Sequence, residues 1–208
     1  MTTLSLSAGL LELGIAASEE QVEQLTAFQT LLEKWNQASN LISRRDIRRI
    51  VPRHLLDSVS VLPWVRGERL IDLGSGGGLP GIPLAVLRPR SQVVVLDRSE
   101  KKCRFLSTAV RELGLSNVQV VALDVENYEP EARFETLLSR AVAPPARIWS
   151  LGRRLLDENG RMVLHAHVGL EADEPGEFPG AGQVQKERVQ IPELPESHEV
   201  LIIETAVH

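Results

Sequence analysis

The sequence predicts an α/β fold, a mostly parallel sheet covered by helices and preceded by an N-terminal helical segment. Three observations predict it. From residue 67 onward short apolar runs alternate with helical patterns, as in consecutive βαβ units. A glycine-rich turn joins the first run to the first of these helices, and everything before residue 62 shows helical periodicity only. The length of 208 residues fits one domain and rules out a second full catalytic domain. With 43% hydrophobic and 25% charged residues, the chain can bury a normal core.

The elements follow in order. Apolar positions Val22, Leu25, Phe28, Leu31 and Leu32 recur at threes and fours, and Ser18 with Gln21 forms a capping box, so 18–32 is helical. A similar pattern over 4–13 breaks at Gly14. Strands are expected at 69–73, 92–96, 118–121, 136–139, 161–165 and 199–205, with helices at 81–87, 100–113 and 146–156. Leu113-Gly114 and Asn159-Gly160 read as helix stops. The Glu-, Pro- and Gly-rich stretch 171–182 reads as an exposed loop. Residues 1–66 are expected as a helical extension packed on a core formed by 67–208, without internal repeats.

Composition narrows the function. There are 28 acidic and 23 basic residues, a formal charge of -5, so any nucleic-acid contact must come from a local patch. Cys103 is the one cysteine, which excludes an internal disulfide and a cysteine-rich zinc site and agrees with a reducing compartment. No apolar run approaches a membrane span and no signal peptide is visible, so a cytoplasmic location is expected.

The most informative segment is Asp72-Leu73-Gly74-Ser75-Gly76-Gly77-Gly78-Leu79-Pro80-Gly81. Glycines here permit positive φ and let a ligand approach without a Cβ in the way, and the following helix would offer free N–H groups. Gly76, Gly78 and Gly81 satisfy the dinucleotide pattern GxGxxG, which is weak on its own. The competing frame, Asp72-x-Gly74-x-Gly76-x-Gly78, resembles motif I of class I S-adenosylmethionine-dependent methyltransferases and is preferred, because an acidic residue ends the strand. Asp97, at the end of the second strand, can accept both ribose hydroxyls of an adenosine ligand, NAD or S-adenosylmethionine alike, or cap the helix starting near Ser99.

Further segments extend the resemblance: Lys34-Trp35-Asn36, Asn40-Leu41, Arg53-His54-Leu55-Leu56-Asp57-Ser58, Gly78-Leu79-Pro80-Gly81-Ile82-Pro83-Leu84 and Ser139-Arg140-Ala141. In order and spacing they resemble the bacterial 16S ribosomal RNA guanine-N7 methyltransferase family, RsmG or GidB, from about residue 10 to 160. The resemblance implies the class I fold, a Rossmann-like seven-stranded sheet with its last strand reversed, and S-adenosylmethionine as cofactor. It implies a cofactor site lined by Asp72, Gly74, Gly76, Gly78, Leu79, Asp97, Asp124, Val125, Glu126 and Arg140, with Asp124-Val125-Glu126 at the adenine. It also implies methyl transfer to a guanosine N7 in the decoding-region loop of 16S ribosomal RNA, as free RNA or in the small subunit, by a monomer. One departure is that family members carry Lys-Gly after the fifth strand, where this chain reads Leu164-His165-Ala166-His167. The two histidines share a strand face, yet without a third ligand they do not predict a metal site.

Guanine N7 has a lone pair and no proton, so its methylation needs positioning and charge accommodation but no general base. Ala143-Pro144-Pro145-Ala146 lacks both ends of the Asn/Asp-Pro-Pro-aromatic segment of amino-group methylases, and Cys103 lies inside a predicted helix, unsuited to cytosine-C5 chemistry. Arg140, at the carboxyl end of the fourth strand, is the catalytic candidate, anchoring the cofactor carboxylate or a target phosphate. Arg44, Arg45, Arg48, Arg49, Arg53 and His54 form the RNA-binding candidate, with Arg45, Arg48 and Arg49 expected on one side of a helix. Arg98, Lys101, Lys102 and Arg104 extend it, while Trp35 reads as core. Arg53, His54 and Asp57 either cluster beside the cofactor or tie the N-terminal helices to the sheet. A methyltransferase for another RNA or a small molecule, an NAD-dependent oxidoreductase and a non-enzymatic RNA-binding module are the alternatives.

Overall fold

The computed structural model describes residues 4–140, 143–166 and 178–206, without the side chains of Arg44 and Ala166. His167 and most of the 171–182 stretch lie outside the described residues. Seven strands form one sheet in the order β3-β2-β1-β4-β5-β7-β6. They are β1 (Arg69–Leu73), β2 (Gln92–Leu96), β3 (Val118–Val121), β4 (Phe134–Arg140), β5 (Leu156–Ala166), β6 (Ala181–Val189) and β7 (His198–Thr205). The first five run parallel, while β7 pairs antiparallel with both β5 and β6. The expected seven-stranded, mostly parallel sheet with a reversed last strand is thus the observed one.

Side chains of the central strands are buried on both faces, which is why those strands read as unbroken apolar runs. Leu70, Val93, Val95, Leu138 and Val163 point into one core layer with Phe28, Leu32, Ile82 and Phe105. Ile71, Val94, Leu96, Leu137 and Met162 alternate into the other, around Trp149 and Ile148. Helices α1 (Leu6–Glu12), α2 (Glu19–Ser39), α4 (Gly81–Leu87) and α5 (Glu100–Glu112) cover the first face, and α6 (Pro145–Gly152) the second. Ser18 caps α2 through the expected capping box with Gln21. Trp35 packs on Phe105 with ring centroids 5.6 Å apart, a core contact. Between α2 and β1 the chain forms a 3₁₀ turn (Arg44–Arg49), a π turn (Val51–Leu56) and the short α3 (Asp57–Val59). Among the described residues no helix is long and apolar enough to cross a membrane.

Three expectations are corrected. Residues 181 and 182, read as the end of the loop, instead open the edge strand β6, which the sequence did not predict because its polar, mostly exposed side chains hide a strand held by its ladder to β7. Asn159-Gly160 is not a helix stop: α6 ends at Gly152, and β5 starts at Leu156 with an irregularity between Phe134 and Thr136 of its partner strand. The Thr205 hydroxyl secures this bulge, 2.7 Å from the Glu158 carbonyl and 3.1 Å from that of Gly160. Arg44–Arg49 is 3₁₀ rather than α-helical, so Arg45 and Arg48 eclipse each other and are exposed, while half-buried Arg49 is rotated off that line.

Candidate active site

β1 connects through α4 to β2 on one side, and β4 lies on the other side of β1, so strand order reverses between β1 and β4. Open α/β sheets bind ligands in the crevice at such a reversal, beyond the carboxyl ends of the strands. A cavity of about 1090 Å³ opens there. Its wall includes Gly74, Gly76, Leu79, Asp97, Asp124, Val125, Glu126 and Arg140, which the sequence nominated. Arg53 and His54 from the N-terminal segment join them.

The glycine loop is organised from beneath by Asp72, which is fully buried and does not line the cavity. Its Oδ2 accepts the Ser75 hydroxyl at 2.6 Å and the Gly81 N–H at 2.9 Å, fixing both ends of the loop. Burial pushes the Asp72 carboxyl up to about 6, against those two hydrogen bonds. Asp72 therefore shapes the loop instead of facing the ligand, and Gly78 likewise turns inward against Ile82 and Leu106. The expectation of free helix N–H groups is also corrected. Gly81 N–H is held by Asp72 and that of Ile82 by the Gly78 carbonyl, so protein acceptors satisfy the start of α4.

The residues present nevertheless fit an adenosine-bearing cofactor. At Gly76, where φ is +57°, a Cβ would meet nothing nearer than the Gly74 carbonyl at 3.7 Å and Lys102 Nζ at 3.9 Å, leaving open space above a bare backbone. Asp97 is buried to 5% exposure; its Oδ2 accepts the Gly76 N–H at 3.0 Å and its Oδ1 the Ser99 N–H at 2.9 Å. Each oxygen keeps a further lone pair, so the capping contacts leave the carboxylate able to accept another donor from the cavity. Lys102 Nζ lies 3.6 Å from Asp97 Oδ2. Leu123, 44% exposed, borders the cavity beside Val125, an apolar surface that a stacked ring would cover. The turn Val125–Asn127 is capped by Asp124 Oδ1 and held by Arg154 Nη2, 2.7 Å from the Val125 carbonyl.

At the opposite end of the cavity, Arg140 is no surface ion pair. Its Nη1 donates to Asp57 Oδ2 at 3.2 Å and to the Arg53 carbonyl at 3.3 Å, and its Nη2 donates to His54 Nδ1 at 3.2 Å. Asp57 in turn accepts the His198 Nδ1–H at Oδ1, 2.6 Å away, and the His165 Nε2–H at its carbonyl, 2.9 Å away. Burial alone would raise the Asp57 carboxyl; His165, His198 and Arg140 outweigh it and hold it well below the usual carboxylate range. Burial and the Arg140 charge lower His54 to about 4, so it is a neutral acceptor for Arg140 and carries no charge for phosphate. His165 is lowered too, chiefly by burial. The Arg53-His54-Asp57 segment thus both flanks the cavity and ties the N-terminal helices to the sheet.

Of the other basic candidates, Arg45 and Arg48 are exposed and Arg49 is half-buried, none of them on the cavity wall. Arg44 lies in the same 3₁₀ turn. Arg98 and Lys102 border the cavity, whereas Lys101 caps the end of α2 through the Ala38 carbonyl, 2.9 Å away. Cys103 is buried with its thiol on the Asp97 carbonyl at 3.1 Å, and burial raises it further above its ordinary value, unlike a nucleophile. Sequence reading missed Leu123, Arg147, Glu196 and His198, all on the cavity wall. None belongs to a local motif, and His198 opens the last strand one residue before its expected start.

Comparison with known proteins gives the family and the fold. The family model GidB, described as rRNA small subunit methyltransferase G, matches residues 21–197. The Ribosomal RNA small subunit methyltransferase G of Chromobacterium violaceum is 46% identical over 162 residues, covering 77% of this chain and 78% of its own. The protein of the same description from Shewanella sp. is 40% identical over 205 residues, covering 98% of each. Among solved structures, M. jannaschii TYW2 in complex with AdoMet superposes with a TM-score of 0.55 at 15% identity, covering 73% of this chain and 75% of that one.

Proposed function

This chain belongs to the GidB family of rRNA small subunit methyltransferases G, and we propose that it methylates N7 of a guanosine in the decoding-region loop of 16S ribosomal RNA. S-adenosylmethionine, when bound, supplies an electrophilic methyl group on a sulfonium. Asp97 holds the ribose hydroxyls, Leu123 and Val125 cover the adenine, and the bare backbone of Gly74 to Gly77 accommodates the middle of the cofactor. Arg140 would hold its carboxylate: with three N–H groups on Asp57, Arg53 and His54, the Nε–H and one Nη2–H of its five donors remain for it.

The observation that carries this reading is the convergence of Asp97, the glycine loop and Arg140 on one cavity at the reversal of strand order. Among the described residues no thiol lines the cavity, and the buried carboxylates there, Asp57 and Asp97, are engaged by Arg140, His198 and the Gly76 and Ser99 N–H groups, which suits N7, a site with no proton to remove. The exposed Arg45 and Arg48, with Arg98 and Lys102 at the rim, would grip the phosphates of the RNA. This reading places the protein in the cytoplasm, acting as a monomer on ribosomal RNA or the assembled small subunit.

The test is transfer of labelled methyl from S-adenosylmethionine to small subunits lacking the modification, set beside an NADH titration. Label in 16S RNA that declines as salt rises, with no NADH binding, supports the reading. NADH binding without methyl transfer would favour the oxidoreductase alternative.

A further inference from the structure

Arg140 leaves β4 at its carboxyl end, but what fixes its guanidinium comes from elsewhere in the chain. Asp57 lies 83 positions earlier, is 5% exposed, and meets Arg140 Nη1 at 3.2 Å. Asp57 is itself pinned by His198, 141 positions later, whose Nδ1 is 2.6 Å from Oδ1. We propose that Asp57 and His198 are positioning residues for the cofactor carboxylate, acting through Arg140: the pair fixes the guanidinium so that its Nε–H and remaining Nη2–H face the cavity.

The physical case rests on what each partner removes. A free arginine side chain samples many rotamers, and ordering it on ligand binding costs affinity. Asp57 occupies one end of the guanidinium with a charge-assisted bond, and a carboxylate held from both oxygens cannot swing away with it. His198 holds the second oxygen from β7, whose neighbour β5 contributes His165 to the Asp57 carbonyl at 2.9 Å. Asp57 is thereby clamped from three sides: by the last strand, by β5, and by Arg140 from β4. The inference depends on the proposed reading of Arg140 as the carboxylate ligand.

The test compares two ligands that share an adenosine but differ at the amino-acid end, S-adenosylhomocysteine and 5′-methylthioadenosine, by calorimetric titration of the full chain. In wild type the first should bind more tightly. Arg140→Ala should abolish that preference, and if the preference survives Arg140→Ala, the reading of Arg140 falls and the inference with it. His198→Phe and Asp57→Asn should each weaken S-adenosylhomocysteine about tenfold while leaving 5′-methylthioadenosine within about twofold. His198→Asn, whose side-chain amide can donate from roughly the Nδ1 position, should recover most of the loss. If Arg140→Ala abolishes the preference but His198→Phe retains it, Arg140 needs no positioning and the inference is overturned. Equal weakening of both ligands in His198→Phe would show a general structural role and overturn it as well. Should Asp57→Asn fail to fold, the His198 variants, partly exposed at the start of β7, decide alone.

Discussion

Asp57 Oδ2 and Arg140 Nη1 stand 3.2 Å apart in the wall of the cavity, joining the segment before β1 to the end of β4. Both are shielded, with side-chain exposures of 7% and 17%, so the pair is not a solvated surface bridge. Through this contact the N-terminal helices become part of the site.

Asp97→Ala should weaken S-adenosylmethionine binding by about ten- to a hundredfold, since it removes a charged acceptor for two ribose hydroxyls at about 1.5–3 kcal/mol for a charged hydrogen bond. Calorimetric titration measures it. Unchanged affinity would place the adenosine elsewhere. Because Asp97 also holds the Gly76 N–H at 3.0 Å, the reverse titration with Asp97→Asn, which keeps an oxygen for that bond, should show a smaller loss.

Gly76→Ala and Gly81→Ala should fail in different ways. At Gly76 the new methyl enters open space, so binding suffers more than folding, and the left-handed φ of +57° costs about 1–2 kcal/mol of stability. At Gly81 a Cβ would lie 2.7 Å from Val95 Cγ1 and 2.8 Å from Asp72 Oδ2, a clash in packed interior expected to cost about 1–3 kcal/mol or more. Urea unfolding beside cofactor titration separates the two.

The neutral state of His54 is a stability term. Its value falls from 6.5 to about 4 on folding, so the unfolded chain binds the extra proton more readily. The contribution is present above pH 6.5 and is lost as pH falls toward 4, amounting to about 3 kcal/mol at most. Asp72, raised to about 6, acts oppositely, favouring the folded state most at low pH and losing that contribution as pH rises through 6. Comparing wild type with His54→Asn isolates the first: the variant should lose less stability between pH 6.5 and 4 in urea titrations. Parallel curves would contradict a neutral buried His54.

Arg45→Ala with Arg48→Ala should weaken RNA binding uniformly and lower the slope of log affinity against log salt by about one to two, with S-adenosylmethionine binding unchanged. Filter binding over a salt series reads both. An unaltered slope would move the RNA path away from the 3₁₀ turn.

Much of the fold was legible because its central strands are buried on both faces. Val93-Val94-Val95-Leu96 can only be a short interior strand, and β1, β2 and β3 begin and end at the expected residues. β6 was not legible, since Gln183, Lys186 and Glu187 carry no apolar signal and the strand exists through its pairing with β7. In the site, Asp97 and Arg140 could be read from their places at strand ends. Asp72 was placed in the right loop but on the wrong side of it, because hydrogen bonds to Ser75 and Gly81 draw it beneath the turn. His198 could not be read at all: its partner lies 141 positions away, and no local pattern encodes a contact of that range.

The central claim is methylation at guanosine N7 in this cavity, and nucleoside mass spectrometry tests it most directly. Undermodified small subunits are incubated with S-adenosylmethionine and either wild type or Arg140→Ala, and their 16S RNA is digested. Wild type should yield new 7-methylguanosine and Arg140→Ala far less of it. A different methylated nucleoside, or none while the cofactor demonstrably binds, would contradict it.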